Sequence, residues 1–255
     1  MTSHFIWYEL LTSNPTAAAA FYSALLGWTV SDANQEGMDY RILSKDGVGV
    51  GGLMALPPRA SASGMRPCWL GYVSVADVDK SVASIRAAGG AEHMPAMDVP
   101  NVGRFAMVAD PQGAQIYVMT PTGGHDQPTS FAPGKPGHGG WHELHTTDWQ
   151  VALAFYGSQF GWKKTEAMDM GPMGTYLLFN AGAGDAIGGM LNNAEVPRPF
   201  WLYYFNVSDI DEAGRRIAAH GGQAMMGPHQ VPTGDWIIHA RDPQGAMFAL
   251  LGPKA

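Results

Sequence analysis

One stretch of this chain occurs twice, and that repetition limits the folds open to it more than any other feature. Residues 7–28 read WYELLTSNPTAAAAFYSALLGW and residues 141–162 read WHELHTTDWQVALAFYGSQFGW. At an offset of 134, ten of these 22 positions are identical, among them Trp7/Trp141, Glu9/Glu143, Phe21/Phe155, Tyr22/Tyr156 and Trp28/Trp162. The match continues through Val50-Gly51-Gly52 with Ile187-Gly188-Gly189, PCWLGYVSVADVD (67–79) with PFWLYYFNVSDID (199–211), and DPQGA at 110–114 and 242–246. The chain is thus a tandem duplication, and each copy must bury its apolar faces in itself or against its twin. Between the copies, PTGGHDQPTSFAPGKPGHGG (121–140) is half Gly or Pro, which suits an extended linker. The domains are therefore expected at 1–122 and 140–255, with the linker at 123–139.

Each copy has its own rhythm. Residues 4–12 alternate as a strand does. Asn14 then offers an N-cap, Pro15 fits the first helical position, and Gly27 stops the helix after Leu26. Strands are expected at about 39–44 and 47–55, after which the pattern restarts. Residues 68–75 read as a strand, Asp77 caps a second helix ending at Gly89-Gly90, and strands follow at about 102–109 and 114–120. DPQG reads as a tight turn with Pro at its second position.

Charge and cysteine content narrow the partners. Fifteen basic against 22 acidic residues leave a net charge of −7, which disfavours nucleic acid and acidic membrane surfaces. Charged residues make up 15% and hydrophobic ones 46%, so there is much to bury, and a homodimer interface is one place to bury it. The one cysteine, Cys68, cannot form an internal disulfide. No signal peptide and no run of about 18 apolar residues is evident, so a cytoplasmic protein is expected.

The order FY…LGW, a capped helix ending in GG, and DPQG before a last strand, met twice, resembles the glyoxalase/bleomycin-resistance/extradiol-dioxygenase superfamily, also called vicinal oxygen chelate (VOC). The resemblance covers both copies. It implies an α+β fold in which four βαβββ modules form two glyoxalase-like domains, each an eight-stranded sheet curled around a cavity. It also implies metal ligands at matching strand positions. Those positions fall on Trp7, near Gly52, near Leu70 and on Tyr117 in one copy, and on Trp141, near Gly189, near Leu202 and on Ala249 in the other. None is the imidazole, carboxylate or thiolate that a divalent ion wants. No cofactor is therefore expected and no residue is assigned to a metal, although an off-pattern divalent ion stays open.

What both copies keep is Trp-x-Glu. Strand alternation puts Trp7 and Glu9 on one face, and likewise Trp141, Glu143 and His145. By the resemblance that face looks into the cavity. Indole offers flat apolar area with one N–H donor, and a carboxylate in a low-dielectric site can serve as acceptor or base. The competing reading is that Glu9 and Glu143 are satisfied by core hydrogen bonds. Glu9 and Glu143 are thus the candidate catalytic residues, and Trp7, Trp141, His145, Tyr117, Gly52 and Gly189 the candidate ligand contacts. Glycine inside a strand admits a close neighbour or marks a bulge. His142 and His145 match Tyr8 and Leu11, so neither belongs to the repeated design, and His239 reads as a surface or core-satisfied residue. Trp69/Trp201 and Tyr72/Tyr204 cannot all share one face. Met168, Met170, Met173 and Met190 suggest an adaptable apolar lining or core filler. Cys68 reads as a small buried residue, not a nucleophile.

Three functions fit. The first is a small-molecule-binding protein of the resistance type, without metal. The second is a lyase, isomerase or dioxygenase-type enzyme using Glu9 or Glu143 as base. The third is a scaffold with a vestigial cavity, against which the retained Trp-x-Glu argues.

Overall fold

The structure, a computed structural model, describes residues 3–33, 39–62, 64–123 and 130–254. In the first copy the order is β1 (Phe5–Thr12), α1 (Pro15–Leu26), β2 (Thr29–Asp32), β3 (Tyr40–Lys45), β4 (Val48–Ala55), α2 (Pro58–Ala62), β5 (Cys68–Ser74), α3 (Val78–Ala87), β6 (Ala91–Val99), β7 (Gly103–Ala109) and β8 (Gln115–Pro121). The second runs β9 (Gly139–Thr146), α4 (Trp149–Phe160), β10 (Lys163–Asp169), β11 (Thr175–Asn180), β12 (Gly188–Asn192), β13 (Phe200–Asn206), α5 (Ile210–Ala219), β14 (Gln223–Gln230), β15 (Trp236–Arg241) and β16 (Met247–Gly252). The two eight-stranded curled sheets have the same order, β2-β3-β4-β1-β5-β8-β7-β6 and β10-β11-β12-β9-β13-β16-β15-β14. The duplication read from sequence is thus a duplication of topology, as expected for an α+β chain of four βαβββ modules.

The helices start and stop where their caps dictate. Asn14 accepts from the Ala17 N–H, and Gly27 closes α1 at φ 67°, a left-handed turn open to glycine at little cost. Asp148 caps α4 through the Gln150 and Val151 N–H groups, and Gly161 ends it at φ 74°. Ala18, Phe21, Tyr22 and Leu25 of α1 are buried, at the i, i+3, i+4, i+7 spacing of one helical face. Each large apolar side chain so buried contributes roughly 1.5–3 kcal/mol.

By their contacts the residues form two compact units. One holds Met1–Ile6, Gly71–Gln127 and His142–Leu202; the other holds Trp7–Leu70, Pro128–Trp141 and Tyr203–Ala255. Within the first, α3 lies on β6, β7 and β8, α4 lies on β10 and β12, and the two helices touch. Within the second, α1 lies on β2 and β4, α5 lies on β14, β15 and β16, and these helices also touch. Each unit therefore draws elements from both copies.

A repeated polar knot holds each unit. The Tyr156 hydroxyl of α4 donates to Asp110 Oδ2 at 3.0 Å and accepts from Trp201 Nε1 at 3.1 Å. In the other unit Tyr22 donates to Asp242 Oδ2 at 3.1 Å and accepts from Trp69 Nε1 at 2.8 Å. The aspartates are those of the two DPQG turns, and Asp110 Oδ1 also accepts from the N–H groups of Gln112, Gly113 and Ala114. Desolvation raises both carboxyls above the usual carboxylate range, against the pull of these donors. Trp69 and Trp201 thus pack under the helices. Tyr72 instead stacks on Tyr117 with ring centroids 4.2 Å apart, which separates the pairs as strand alternation required.

The described part of the linker is pinned. Phe131 bridges to Gly139, and turns close through Lys135 N–H to Ala132 O and His138 N–H to Lys135 O. Asn206 Nδ2 donates to Ala132 O and His138 O at 3.0 and 3.1 Å, and Trp28 Nε1 to Gly137 O at 2.7 Å. An extended run through 121–140 is therefore replaced over 130–139 by a turn, because these carbonyls find side-chain donors. Residues 124–129 lie outside the described residues. No helix among the described residues is long and apolar enough to cross a membrane.

Candidate functional site

The paired strands β1/β4 and β9/β12 set the geometry of the two Trp-x-Glu motifs. Glu9 pairs in register with Gly52, and Glu143 with Gly189. Both glutamates are buried, at 4% and 7% exposure, so each needs partners. In the first copy the Tyr40 hydroxyl bonds Glu9 and accepts from Trp7 Nε1 at 3.0 Å. Burial, then the Glu9 charge, holds the Tyr40 phenol well above its ordinary range. In the second copy Tyr176 donates to Glu143 Oε2 at 2.8 Å.

The glycines explain how a tyrosine gets there. A Cβ on Gly52 would lie 1.9 Å from the Tyr40 hydroxyl, and one on Gly189 would lie 2.2 Å from Tyr176 Cζ. The close neighbour over each glycine is thus a tyrosine ring from the adjacent strand, which reaches across to the glutamate. Tyr40 and Tyr176 escaped the sequence reading. They are equivalent, but the loops before them differ in length, so a gapless alignment does not superpose them. The signal available was the Gly-Gly pair itself, which asks for a large neighbour on each side.

Beyond this shared Glu–Tyr–Gly unit the copies differ. In the second, Glu143 Oε1 meets His145 Nε2 at 2.8 Å, and His145 Nδ1 meets Asn193 Nδ2 at 3.0 Å. The His145 ring stacks flat on Phe200, centroids 4.7 Å apart with an interplanar angle of 1°. His145 is thus buried and its ring is satisfied on both nitrogens within the glutamate's own hydrogen-bond set. The first copy has Leu11, Leu56 and Cys68 at these three places. The equivalence of Leu56 and Asn193 is fixed by the backbone, because their N–H groups bond Thr12 O and Thr146 O at the same 2.8 Å. Cys68 is near enough to feel the Glu9 charge, and burial first, then that charge, pushes its thiol up to about 12. A protonated thiol is a poor nucleophile.

The other expected residues fall as follows. Trp7 and Trp141 are half-buried. Tyr117 is buried against Tyr72 and Phe105. Its counterpart is Ala249, beside Tyr204, whose hydroxyl lies 2.6 Å from His239 Nε2. His239 is thus engaged by a tyrosine. His142 is fully buried, stacks on Phe5 at 3.9 Å, and bonds Ile187 O through Nδ1 at 2.7 Å. Burial lowers its pKa to about 3, so it stays neutral. Of the four methionines only Met190 is buried; Met173 is 65% exposed, too open to line a cavity. Among the described residues no three of His, Cys, Asp and Glu gather as a metal's ligands would. A cleft of about 550 Å³ lies on other elements, lined in part by Asp77, Asp79, Asp98 and Arg104. Arg104 there is already matched by Asp79 and Asp98, each at 2.8 Å.

Comparison with known proteins agrees with this fold. The model of the Glyoxalase/Bleomycin resistance protein/Dioxygenase superfamily matches residues 4–118 and 140–250. The chain is 33% identical to the provisionally named glyoxylase CFP32 of Mycobacterium tuberculosis, over 97% of this chain and 94% of that one. It is 30% identical to the anthracycline biosynthesis protein DauV of Streptomyces sp. strain C5, over 96% and 91%. Among solved structures, the Mn(II)-bound glyoxalase of Novosphingobium aromaticivorans superposes with a TM-score of 0.68 at 15% identity, covering 100% of this chain and 83% of that one. The 2,3-dioxygenase LapB of Pseudomonas sp. KL28 gives 0.67 at 14%, covering 99% and 92%. At such identities these two share the fold.

Proposed function

Because the chain belongs to the Glyoxalase/Bleomycin resistance protein/Dioxygenase superfamily, we propose that it binds a small, partly aromatic organic molecule at its Trp/Glu strands, without the family's usual metal. The observation that carries this reading is the twice-built Glu–Tyr–Gly unit on the strand that also bears the Trp. It presents flat apolar area beside an oriented carboxylate, the mix that small-molecule sites use. Glu9, Glu143, Trp7 and Trp141 are the contacts in this reading, with His145 on Glu143 and Tyr117 as a further expected contact. Relatives named for anthracycline biosynthesis support an aromatic ligand, since anthracyclines are polycyclic aromatic molecules.

The positions where the family resemblance expects ligands carry Trp, Gly, Leu, Tyr and Ala, and the room over Gly52 and Gly189 is taken by Tyr40 and Tyr176. None of these fits a divalent ion, so no step is routed through one. A second reading is an enzyme with Glu9 or Glu143 as base in a lyase, isomerase or dioxygenase-type reaction; the His145 contact supports it for Glu143.

Native mass spectrometry of protein purified without chelator, joined to tryptophan-fluorescence titration with hydroxylated anthraquinones, tests the binding reading. Metal-free protein with saturable quenching, weakened by Trp7→Ala or Trp141→Ala, is the expected result. One stoichiometric metal ion per chain would overturn the metal-free part. No saturable binding of any aromatic probe would overturn the ligand class.

A further inference from the structure

Three coordinated differences separate the copies. Where the first has Leu11, Leu56 and Cys68, the second has His145, Asn193 and Phe200. Drift alone would scatter polar groups. Here the three replacements form one connected set, Asn193 to His145 to Glu143, with Phe200 flat against the imidazole.

The direction of the hydrogen bonds can be fixed. Asn193 Oδ1 accepts from the Glu195 N–H at 3.0 Å, which turns the amide so that Nδ2, a donor, faces His145 Nδ1 at 3.0 Å. His145 Nδ1 must then be an acceptor, and the ring proton sits on Nε2 and points at Glu143 Oε1, 2.8 Å away. Protonating Nδ1 would set donor against donor and cost the Asn193–Glu195 bond. Asn193 thus favours the neutral Nε2–H ring. Tyr176 supplies the second donor, to Oε2. The phenol and the imidazole N–H together orient the carboxylate.

We propose that the second copy alone carries a general base, Glu143, with His145 and Asn193 as its positioning residues, acting on an aromatic ligand that bears an acidic C–H. This deepens the binding reading above and rests on it. In the step, the ligand's C–H bond breaks, the proton passes to a Glu143 oxygen, and the electron pair stays on the ligand. The first copy, with leucine at 11 and 56, lacks the positioning pair and serves to bind.

Two measurements test this. The first needs no ligand. Long-range ¹H–¹⁵N NMR at pH 7 should show His145 as the neutral Nε2–H tautomer, with Asn193→Leu shifting it toward a tautomer mixture. An imidazolium or an Nδ1–H ring in the wild type overturns the proposal. The second uses 5-nitrobenzisoxazole, an aromatic probe of desolvated carboxylate bases. The base removes its ring C–H as the N–O bond breaks, giving a coloured nitrile phenolate with no other reactant. Glu143→Gln should lower kcat at least 100-fold, while Glu9→Gln should act on KM. His145→Leu should cost roughly tenfold in kcat and His145→Gln, which keeps an N–H donor, should restore most of it. Unchanged kcat in Glu143→Gln, or equal loss in His145→Leu and His145→Gln, overturns the proposal. Circular dichroism of each variant separates misfolding from lost chemistry. Should the wild type bind neither the probe nor any other aromatic, the binding reading fails and the proposal with it; binding without turnover overturns the proposal alone.

Discussion

Gly189→Ala should destabilise the protein far more than one added methyl normally would. The new Cβ would lie 2.2 Å from Tyr176 Cζ and 2.4 Å from its hydroxyl oxygen, distances no real contact reaches, so the ring must leave. Leaving breaks its 2.8 Å bond to Glu143. A hydrogen bond to a charged group is worth about 1.5–3 kcal/mol, and overpacking a tight site costs about 1–3 kcal/mol more. The sum is about 2.5–6 kcal/mol. For a chain of this size that is a fall in Tm of roughly 5–24 °C. Scanning calorimetry is the suitable assay, because two compact units need not melt together. Tyr176→Phe keeps the ring and loses the bond, so it should cost only the first part. In a Tyr176→Ala background the clash is gone, and adding Gly189→Ala should change stability by no more than about 0.5 kcal/mol. If Gly189→Ala costs as much in that background as in the wild type, the ring is not the reason for the glycine.

Three further outcomes are expected. His142 is held neutral, with its pKa lowered from 6.5 to about 3. Its contribution is therefore complete above 6.5 and is lost as pH falls toward 3, at about 1.4 kcal/mol per unit; unfolding should be easier at pH 5 than at pH 7 by about 2 kcal/mol from this residue, and His142→Tyr should remove that difference. Asp242 has the opposite sign, since its pKa is raised in the fold: its contribution is greatest below the unfolded value and falls as pH rises through the raised one, so Asp242→Asn should flatten denaturant midpoints measured across that range. Asn206→Leu removes the donors that hold Ala132 O and His138 O, and limited proteolysis should then cut within 130–139 faster than in the wild type.

What could be read in the sequence was whatever a repeat or a period marks. The caps Asn14, Gly27 and Asp77 placed α1 and α3, and DPQG placed its turns. The strands that escaped, β2 and β6 with their counterparts β10 and β14, are the outer ones of each sheet. An edge strand buries little: β6 alternates only between exposed and half-buried positions, and neither β6 nor β14 has a buried one. All of β14 is exposed, and β6 carries Pro95 in its middle, which argues against a strand unless it lies at an edge. The site divides the same way. Glu9 and Glu143 were legible because both copies keep them. The tyrosines that bond them come from neighbouring strands, and Asn193 comes from beyond β12. No spacing in one sequence brings such residues together; only the sheet register does. His145 was legible as a candidate contact by its place on the Trp141/Glu143 face, but because its counterpart is Leu11 a comparison of copies left it outside the repeated design.

The Tyr–Asp knots bear on why both copies are kept. Tyr22 of the first copy bonds the Asp242 turn of the second, and Tyr156 of the second bonds the Asp110 turn of the first. Residues 1–122 expressed alone would keep Tyr22 and Asp110 and lose both partners. Each buried group left unmatched costs about 1–3 kcal/mol, and α1 would lose the apolar cover of α5. Yet the fragment still holds one complete set of the repeated groups, since Asp110 sits in the same DPQG turn as Asp242. Two fragments can therefore satisfy each other, Tyr22 of one on Asp110 of the other. The expected result is a homodimer by light scattering, with Tyr22→Phe weakening it. A folded monomer with undiminished Tm would refute the reasoning, because it would mean that the groups exchanged between copies are not what holds each unit together.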